Sequence, residues 1–216
     1  DGTDTLELTI STDLSTTFTL TSVENIDLTA NNGVTTIDFS NASSVTNIEI
    51  QNGGNDAAFS LTNLASGVTV DNEEASAVAV TADTVAGATL TLDAKADANA
   101  GSSFTVSDAA TVNIVTSATA SGTYDLDAVV LDNADTTSLT LTGSGVASAA
   151  LSTDVITGTD QLQSLTATSS TTGATVTTGT IVDADSLTSL TLNATYANIT
   201  IGAIGGSGSA EGVAAI

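Results

Sequence analysis

The chain has 216 residues and carries 25 acidic side chains against one basic side chain, so its formal net charge is −24. A charge of this size and sign excludes electrostatic binding to nucleic acid or to an anionic membrane surface, and it favours cations as partners. Histidine and cysteine are absent, which removes the commonest general base, the thiolate nucleophile and any disulfide bond. No apolar run approaches the ~18 residues that a membrane-spanning helix needs, so we expect no membrane insertion.

The composition predicts a folded, all-β protein. Hydrophobic residues make up 41% of the chain, and they recur periodically, which argues against disorder. Thr and Val are abundant, and their branched side chains pack well on a pleated surface.

Triplets of the form apolar–x–apolar recur along the whole chain in two interleaved series. The first series begins at Leu6, Ile26, Ile48, Val68, Leu90, Val112, Leu139, Leu165 and Leu190. The second series begins at Phe18, Ile37, Phe59, Val78, Phe104 and Tyr124, and it resumes at Ala174 and Ile199. Turn-forming residues separate the triplets, as in the stretch 52–55.

The steps of 20–27 residues in the first series predict a parallel β-helix, that is, a β-solenoid of about nine coils. Each coil of such a rod contributes one strand to each of two sheets. Residues 1–204 would form the solenoid, and residues 205–216, rich in Gly, Ser and Ala, would form a linker or the start of the next segment. An antiparallel β-sandwich is the alternative, because it is also built from short strands and polar turns.

Alternation along a strand places the flanking residues of each triplet inward and the middle residue outward. The predicted outward row of the first series starts with Glu7, Asp27 and Glu49, and continues with Thr69 and further Thr and Asn residues. The predicted inner row of the second series is Phe18, Ile37, Phe59, Val78, Phe104 and Tyr124. Stacked carboxylates either splay into solvent or are bridged by divalent cations.

Two fragments, Gly2–Leu6 and Gly158–Leu162, share the pattern G-x-D-x-L, and the stretch 53–56 is related to them. A Gly turn exposes backbone carbonyls and the Asp can complete the oxygen shell that calcium prefers, while the Leu enters the core. The alternative is a turn whose Asp bonds to its own backbone. The predicted calcium ligands are Asp4, Asp56, Asp160, Asp27, Glu49, Asp183 and Asp185.

Several phrases carry a resemblance to known proteins: DGTDTL, SVENIDLTA, SVTNIEIQNGG and DADSLTSLTLNAT. Together with the acidic, Cys-free composition, they resemble bacterial surface-layer (S-layer) proteins and related RTX-like calcium-dependent adhesins, and the G-x-D-x-L fragments are similar to part of the calcium-binding nonapeptide of such proteins. The resemblance implies a right-handed β-helix, an extracellular location at the cell surface, and calcium-dependent self-assembly into a lattice or filament.

Other functions stay open at this point. An adhesin would use the same rod as a stalk or would bind cell-surface polysaccharide. A polysaccharide-cleaving enzyme would use paired carboxylates, but one Lys and two Tyr offer little to hold an acidic sugar, so we expect no enzymatic activity. Outward Thr-x-Thr repeats, such as Thr140/Thr142 and Thr166/Thr168, suggest ice binding as another function. Unequal coil lengths argue against the flat array that ice binding requires.

Overall fold

A computed structural model of the chain describes residues 2–11, 13–30, 34–52, 58–73, 78–94, 102–117, 122–132, 135–144 and 149–205. All regular elements within these ranges are strands: β1 (Thr5–Ile10), β2 (Leu14–Thr19), β3 (Asn25–Ala30), β4 (Val34–Asn41), β5 (Asn47–Asn52), β6 (Ala58–Leu64), β7 (Thr69–Asn72), β8 (Ala79–Ala94), β9 (Ser102–Thr116), β10 (Gly122–Val130), β11 (Ser138–Gly143), β12 (Ala149–Thr157), β13 (Ser164–Ser169), β14 (Val176–Val182), β15 (Ser189–Ala194), β16 (Ile199–Ile201) and β17 (Ile204–Gly205). The all-β prediction is therefore confirmed.

The strands form two parallel ladders. The first ladder runs β1, β3, β5, β7, the second halves of β8 and β9, then β11, β13 and β15. The second ladder runs β2, β4, β6, the first halves of β8 and β9, then β10, β12 and β14, followed by β16 and β17. A chain that alternates between two parallel ladders is a β-solenoid, so the predicted fold is confirmed and the antiparallel sandwich is wrong.

The coils stack as the sequence predicted, and Ile26 pairs with Ile48 on adjacent parallel strands. The structure has about seven turns, slightly fewer than the nine coils predicted. Nine strands stack in the first ladder, and seven of them, from β3 to β13, have a neighbouring strand on both sides. The second ladder reaches Gly205 in β17, the last residue that the structure describes.

The core of the first ladder is a column of apolar side chains in directly paired positions. Its members are Leu6, Ile26, Ile48, Val70, Leu92, Ile114, Leu141, Ala167 and Leu192. From Ile26 to Ala167 no member is more than 1% exposed. Burial of this kind contributes about 25 cal/mol per Å² of apolar surface, so the stacking of coils is the main source of stability.

The predicted inner row of the second ladder is wrong in its register. Phe59 pairs with Thr35 and Val80, not with Ile37 and Val78. One cause is the segment 78–80, in which either Val could take the inner place of the alternation. The other cause is that two Thr residues outside the apolar triplets take inner places: Thr35 is fully buried and pairs with Phe59, and Thr16 pairs with Ile37.

Phe18 packs against an aromatic residue of the next coil. Its ring packs edge-on against Phe39, with the ring centroids 6.0 Å apart. Tyr124 pairs with Leu151, and its hydroxyl accepts a hydrogen bond of 2.9 Å from the side-chain amide of Asn72. Burial raises the pKa of the Tyr124 hydroxyl well above its usual value.

One corner of the coil repeatedly needs a left-handed backbone. Where strands of the second ladder end or bend, Asn63, Asp108, Gly158 and Asp183 have φ values of +57°, +62°, +73° and +61°. Gly has no Cβ to clash in this region, and Asn and Asp tolerate it better than other residues do. The polar residues at this corner are thus required by the backbone before any chemical role is considered.

A close approach between coils predicts the cost of one substitution. A Cβ added at Gly179 would lie 1.9 Å from the backbone oxygen of Asp154, so the two coils would have to separate. We expect Gly179→Ala to lower the free energy of unfolding by about 1–3 kcal/mol, measured by urea denaturation. Gly2→Ala is the control, because no atom lies within 4 Å of that added Cβ; equal effects of the two substitutions would contradict the packing described here.

Candidate cation-binding site

The outer face of the first ladder carries an unbroken row of acids. Glu7, Asp27, Glu49, Asp71 and Asp93 occupy directly paired positions on five successive strands, and we call this row the acidic column. Paired strands are ~4.8 Å apart, so each carboxylate has another on the next rung. The only basic side chain of the chain, Lys95, lies outside the described residues. Most of the negative charge must therefore be balanced by ions from solution.

The structure corrects the predicted outward row from its fourth position onward. Asp71, not Thr69, pairs with Glu49, and Thr69 pairs with Asn47. The sequence Val68-Thr69-Val70 allows either Val to be matched with Ile48, and the partner in the structure is Val70. A constant step of 22 residues, from Asp27 to Glu49 and on to Asp71 and Asp93, was the signal that could have identified the column.

Like charges act on one another within the acidic column. The pKa of Asp27 is raised, chiefly by partial burial and further by the negative charges of Glu49 and Glu7. The side-chain amide of Gln51 donates to the Glu49 carboxylate, and the backbone N–H of Ser117 donates to Asp93 at 2.9 Å. Asp71 is only 3% exposed. The column is thus a partly desolvated row of oxygen ligands.

A second acidic group lies at the left-handed corner, and we call it the corner cluster. Carboxylate oxygens of Asp108, Asp132 and Asp135 all lie within 4.8 Å of one another. The pKa of Asp83 is raised, chiefly by burial and next by the charge of Asp108. The pKa of Asp135 is raised by desolvation first and then by a hydrogen bond with the Asp108 carboxyl. Oxygen ligands in this arrangement suit a hard cation such as calcium.

The sequence did not identify the corner cluster. None of its members, nor the neighbouring Asp83, lies in a sequence motif that indicates a metal ligand. The available signal was spacing, because Asp108 and Asp132 follow Asp83 at steps of 25 and 24 residues. Those steps equal one coil, so stacking brings the three carboxylates to the same corner.

The other predicted calcium ligands are spread along the rod. Asp4 is exposed, its backbone N–H donates to a Glu24 carboxylate oxygen at 2.9 Å, and its carbonyl accepts from the backbone N–H of Asn25 at 3.0 Å. Asp183 and Asp185 lie in the turn between β14 and β15. Asp56 lies outside the described residues. Among the described residues, Asp4, Asp183 and Asp185 therefore do not form one site with Asp27 and Glu49.

The two G-x-D-x-L fragments do not occupy equivalent places in the coil. Leu6 lies on β1, whereas Leu162 lies in the turn between β12 and β13. Leu162 is fully buried, as predicted, and Asp160 beside it is exposed. The repeated motif thus marks two different turns, and stacking does not bring its two Asp residues together.

Comparison with known protein families, with curated proteins and with solved structures finds no match to this chain. A search of the described residues for a helix long and apolar enough to cross a bilayer finds none. Arguments about function therefore come from the chain's own geometry and charge.

The environments of Asp38 and Asp83 predict opposite effects of pH on the stability of the fold. Hydrogen bonds from the backbone N–H of Ser40 (2.9 Å) and the amide of Asn63 (2.9 Å) lower the pKa of Asp38, whereas the pKa of Asp83 is raised. Asp83 therefore adds most to stability below its ordinary pKa, and this contribution is lost as the pH rises through its folded value. The contribution of Asp38 is instead present above its ordinary pKa and lost as the pH falls.

We accordingly expect Asp83→Asn to raise the free energy of unfolding at neutral pH and Asp38→Asn to lower it. Urea denaturation at neutral pH and near pH 4 measures both effects, and the difference between the two variants should shrink at the lower pH. Changes of the same sign at neutral pH would show that the two carboxylates do not have the opposed environments described here.

Proposed function

We propose that the chain is a structural, non-enzymatic module of an extracellular surface array, and that its acidic faces bind calcium. The observation that carries this proposal is the in-register acidic column on β1, β3, β5, β7 and β8. A surface-layer or adhesin role agrees with the sequence resemblance, and a rigid rod of stacked coils suits either role as a scaffold.

Electrostatics favours a cation in the acidic column. Two carboxylates about 5 Å apart repel by roughly 1 kcal/mol in water, and by more near a protein surface. A divalent cation between two rungs reverses the sign of that interaction, since both carboxylates then face a positive charge. A ligand set made only of oxygens selects hard cations such as calcium over transition metals.

Charge also links calcium to assembly. Copies that each carry a net charge of −24 repel one another strongly, which keeps free subunits soluble and apart. Bound calcium lowers this charge and can bridge carboxylates of neighbouring copies. The absence of His and Cys and the single basic side chain favour such a structural role over catalysis.

Calcium titration tests the proposal. We expect millimolar calcium to raise the free energy of unfolding by about 1–3 kcal/mol, as mass action predicts for weak extracellular sites. Glu49→Gln should reduce both this gain and the heat measured by isothermal titration. Asp154→Asn is the matched control, because Asp154 is an exposed strand acid outside the acidic column and the corner cluster.

Sodium chloride at equal ionic strength separates specific binding from screening. Absence of heat, of stabilisation and of light scattering up to millimolar calcium would overturn the metal part of the proposal. Equal responses of the two variants would show that calcium binds away from the acidic column.

The C-terminal half of the outer face of the first ladder favours a second candidate function, which is ice binding. Two outward columns run without a break through the second half of β9, β11, β13 and β15: Asn113, Thr140, Thr166 and Thr191, and Val115, Thr142, Thr168 and Asn193. The unequal coil lengths do not break the register of these columns, because the extra residues lie between the strands. A regular, uncharged array of hydroxyls and methyls suits a ligand that is itself a lattice of water.

A ring placed in the middle of the array tests this candidate. Thr166→Tyr would hold the surface away from ice, and we expect it to abolish partition into growing ice and thermal hysteresis. Thr81→Tyr places the same side chain on an exposed strand position of the second ladder and serves as the control, since Tyr suits strands. An inactive wild-type chain, or equal behaviour of the two variants, would exclude ice binding.

A further inference from the structure

The two end coils of the described rod are incompletely covered. Leu192 is 48% exposed, whereas Ala167 and Leu141, which precede it in the same column, are 0% exposed. At the opposite end Leu6 and Leu8 are half-buried, although their neighbours Ile26 and Leu28 are fully buried. The inner side chains at each end thus have an apolar neighbour on one side only.

Backbone pairing stops at the same two places. Within the described ranges, β1 pairs only with β3, and β15 pairs only with β13. Among the residues that the structure describes, the outer edges of β1 and β15 carry no paired strand, and the N–H and C=O groups of such an edge can pair with a further parallel strand. The two edges have the same strand direction and lie at opposite ends of one stack, so they suit a head-to-tail contact.

The side chains of the two ends also match, in both ladders. If β1 of one copy follows β15 of another in the existing register, Leu6 stacks on Leu192 and Thr5 stacks on Thr191. In the second ladder a column of paired positions starts at Leu14 and ends at Ile204. Apolar residues lie at both ends of both columns. A single translation of one copy along the rod axis would therefore bring apolar residues together in both ladders.

Charge selects this contact among the possible contacts between copies. The outward row that contains Glu7 is acidic through Asp93, and then becomes uncharged as far as Asn193 on β15. A head-to-tail junction places Asn193 beside Glu7, where an amide can donate to the carboxylate. Contacts between two acidic halves would instead bring carboxylates together, which costs free energy.

We propose that the β15 end of the rod docks a second copy of this chain through its β1 edge, so that the coils continue from one copy into the next. The inference rests on the proposed function in that it names the contact by which copies would form an array. Because the two surfaces differ, the contact is heterologous and does not close, and repetition produces a filament along the rod axis.

Analytical ultracentrifugation over a concentration series in physiological salt and millimolar calcium tests the contact. The wild-type chain should associate with concentration, and Leu192→Glu should weaken that association by at least roughly tenfold, since it buries a charge at the junction. Val85→Glu is the matched control, because Val85 is exposed to a similar extent (46%) but lies away from both ends. A monomeric wild-type chain, or equal association of the two variants, would overturn the proposal.

A disulfide crosslink between copies tests the register of the junction. This test does not require a substitution that weakens association and can also weaken folding. The chain has no cysteine, and the junction would pair residue 5 with residue 191, at a Cα separation that a disulfide can span. The double variant Thr5→Cys/Thr191→Cys should form a series of covalent multimers under mild oxidation with diamide. The double variant Thr5→Cys/Thr81→Cys should not form that series, and similar multimers from both would overturn the register.

Calcium titration distinguishes a failure of the docking proposal from a failure of the proposed function. Calcium heats that persist in a chain that never associates would remove the docking proposal and leave the calcium proposal intact. Association without any calcium heat would do the reverse.

Discussion

The structure depends on one constraint: each coil must place its backbone hydrogen-bonding groups directly beside those of the next coil. This constraint turns positions that are 20–27 residues apart in sequence into neighbours, and it does so for every side chain of a rung at once. The apolar columns, the acidic column and the uncharged outer columns are all consequences of it. Variation in coil length is tolerated because the additional residues lie in the connections, where no pairing is required.

The sequence predicted the fold because the signal for a solenoid is redundant. The pairing of Ile26 with Ile48 follows from triplets that recur many times, so one ambiguous triplet cannot change the fold. Register is less redundant. Where a segment offers two inward candidates, as Val68 and Val70 do, only the partner strand decides between them. An inward Thr is not visible in an apolar pattern, and Thr16 is the residue that pairs with Ile37.

The candidate site was predictable only in part, for a related reason. Glu7, Asp27 and Glu49 lie within clear triplets, so their alignment follows directly from periodicity. Asp83, Asp108 and Asp132 lie at a corner, where the direction of a side chain depends on the backbone. The positive φ of Asp108 is one such local feature. Contacts between corner residues therefore required coordinates, although their spacing of one coil was visible in the sequence.

The buried hydrogen bond between Asn72 and Tyr124 has a mechanical consequence for the rod. It joins the first sheet to the second across the interior, between residues 52 positions apart. If the sheets slid past each other by one rung, the Tyr124 hydroxyl would face Ile50, which occupies the position of Asn72 on the preceding strand. An unsatisfied polar group in the interior costs about 1–3 kcal/mol. The hydrogen-bonded pair thus resists sliding of one sheet against the other. The apolar columns alone offer less resistance, because an apolar side chain shifted by one rung meets another apolar side chain.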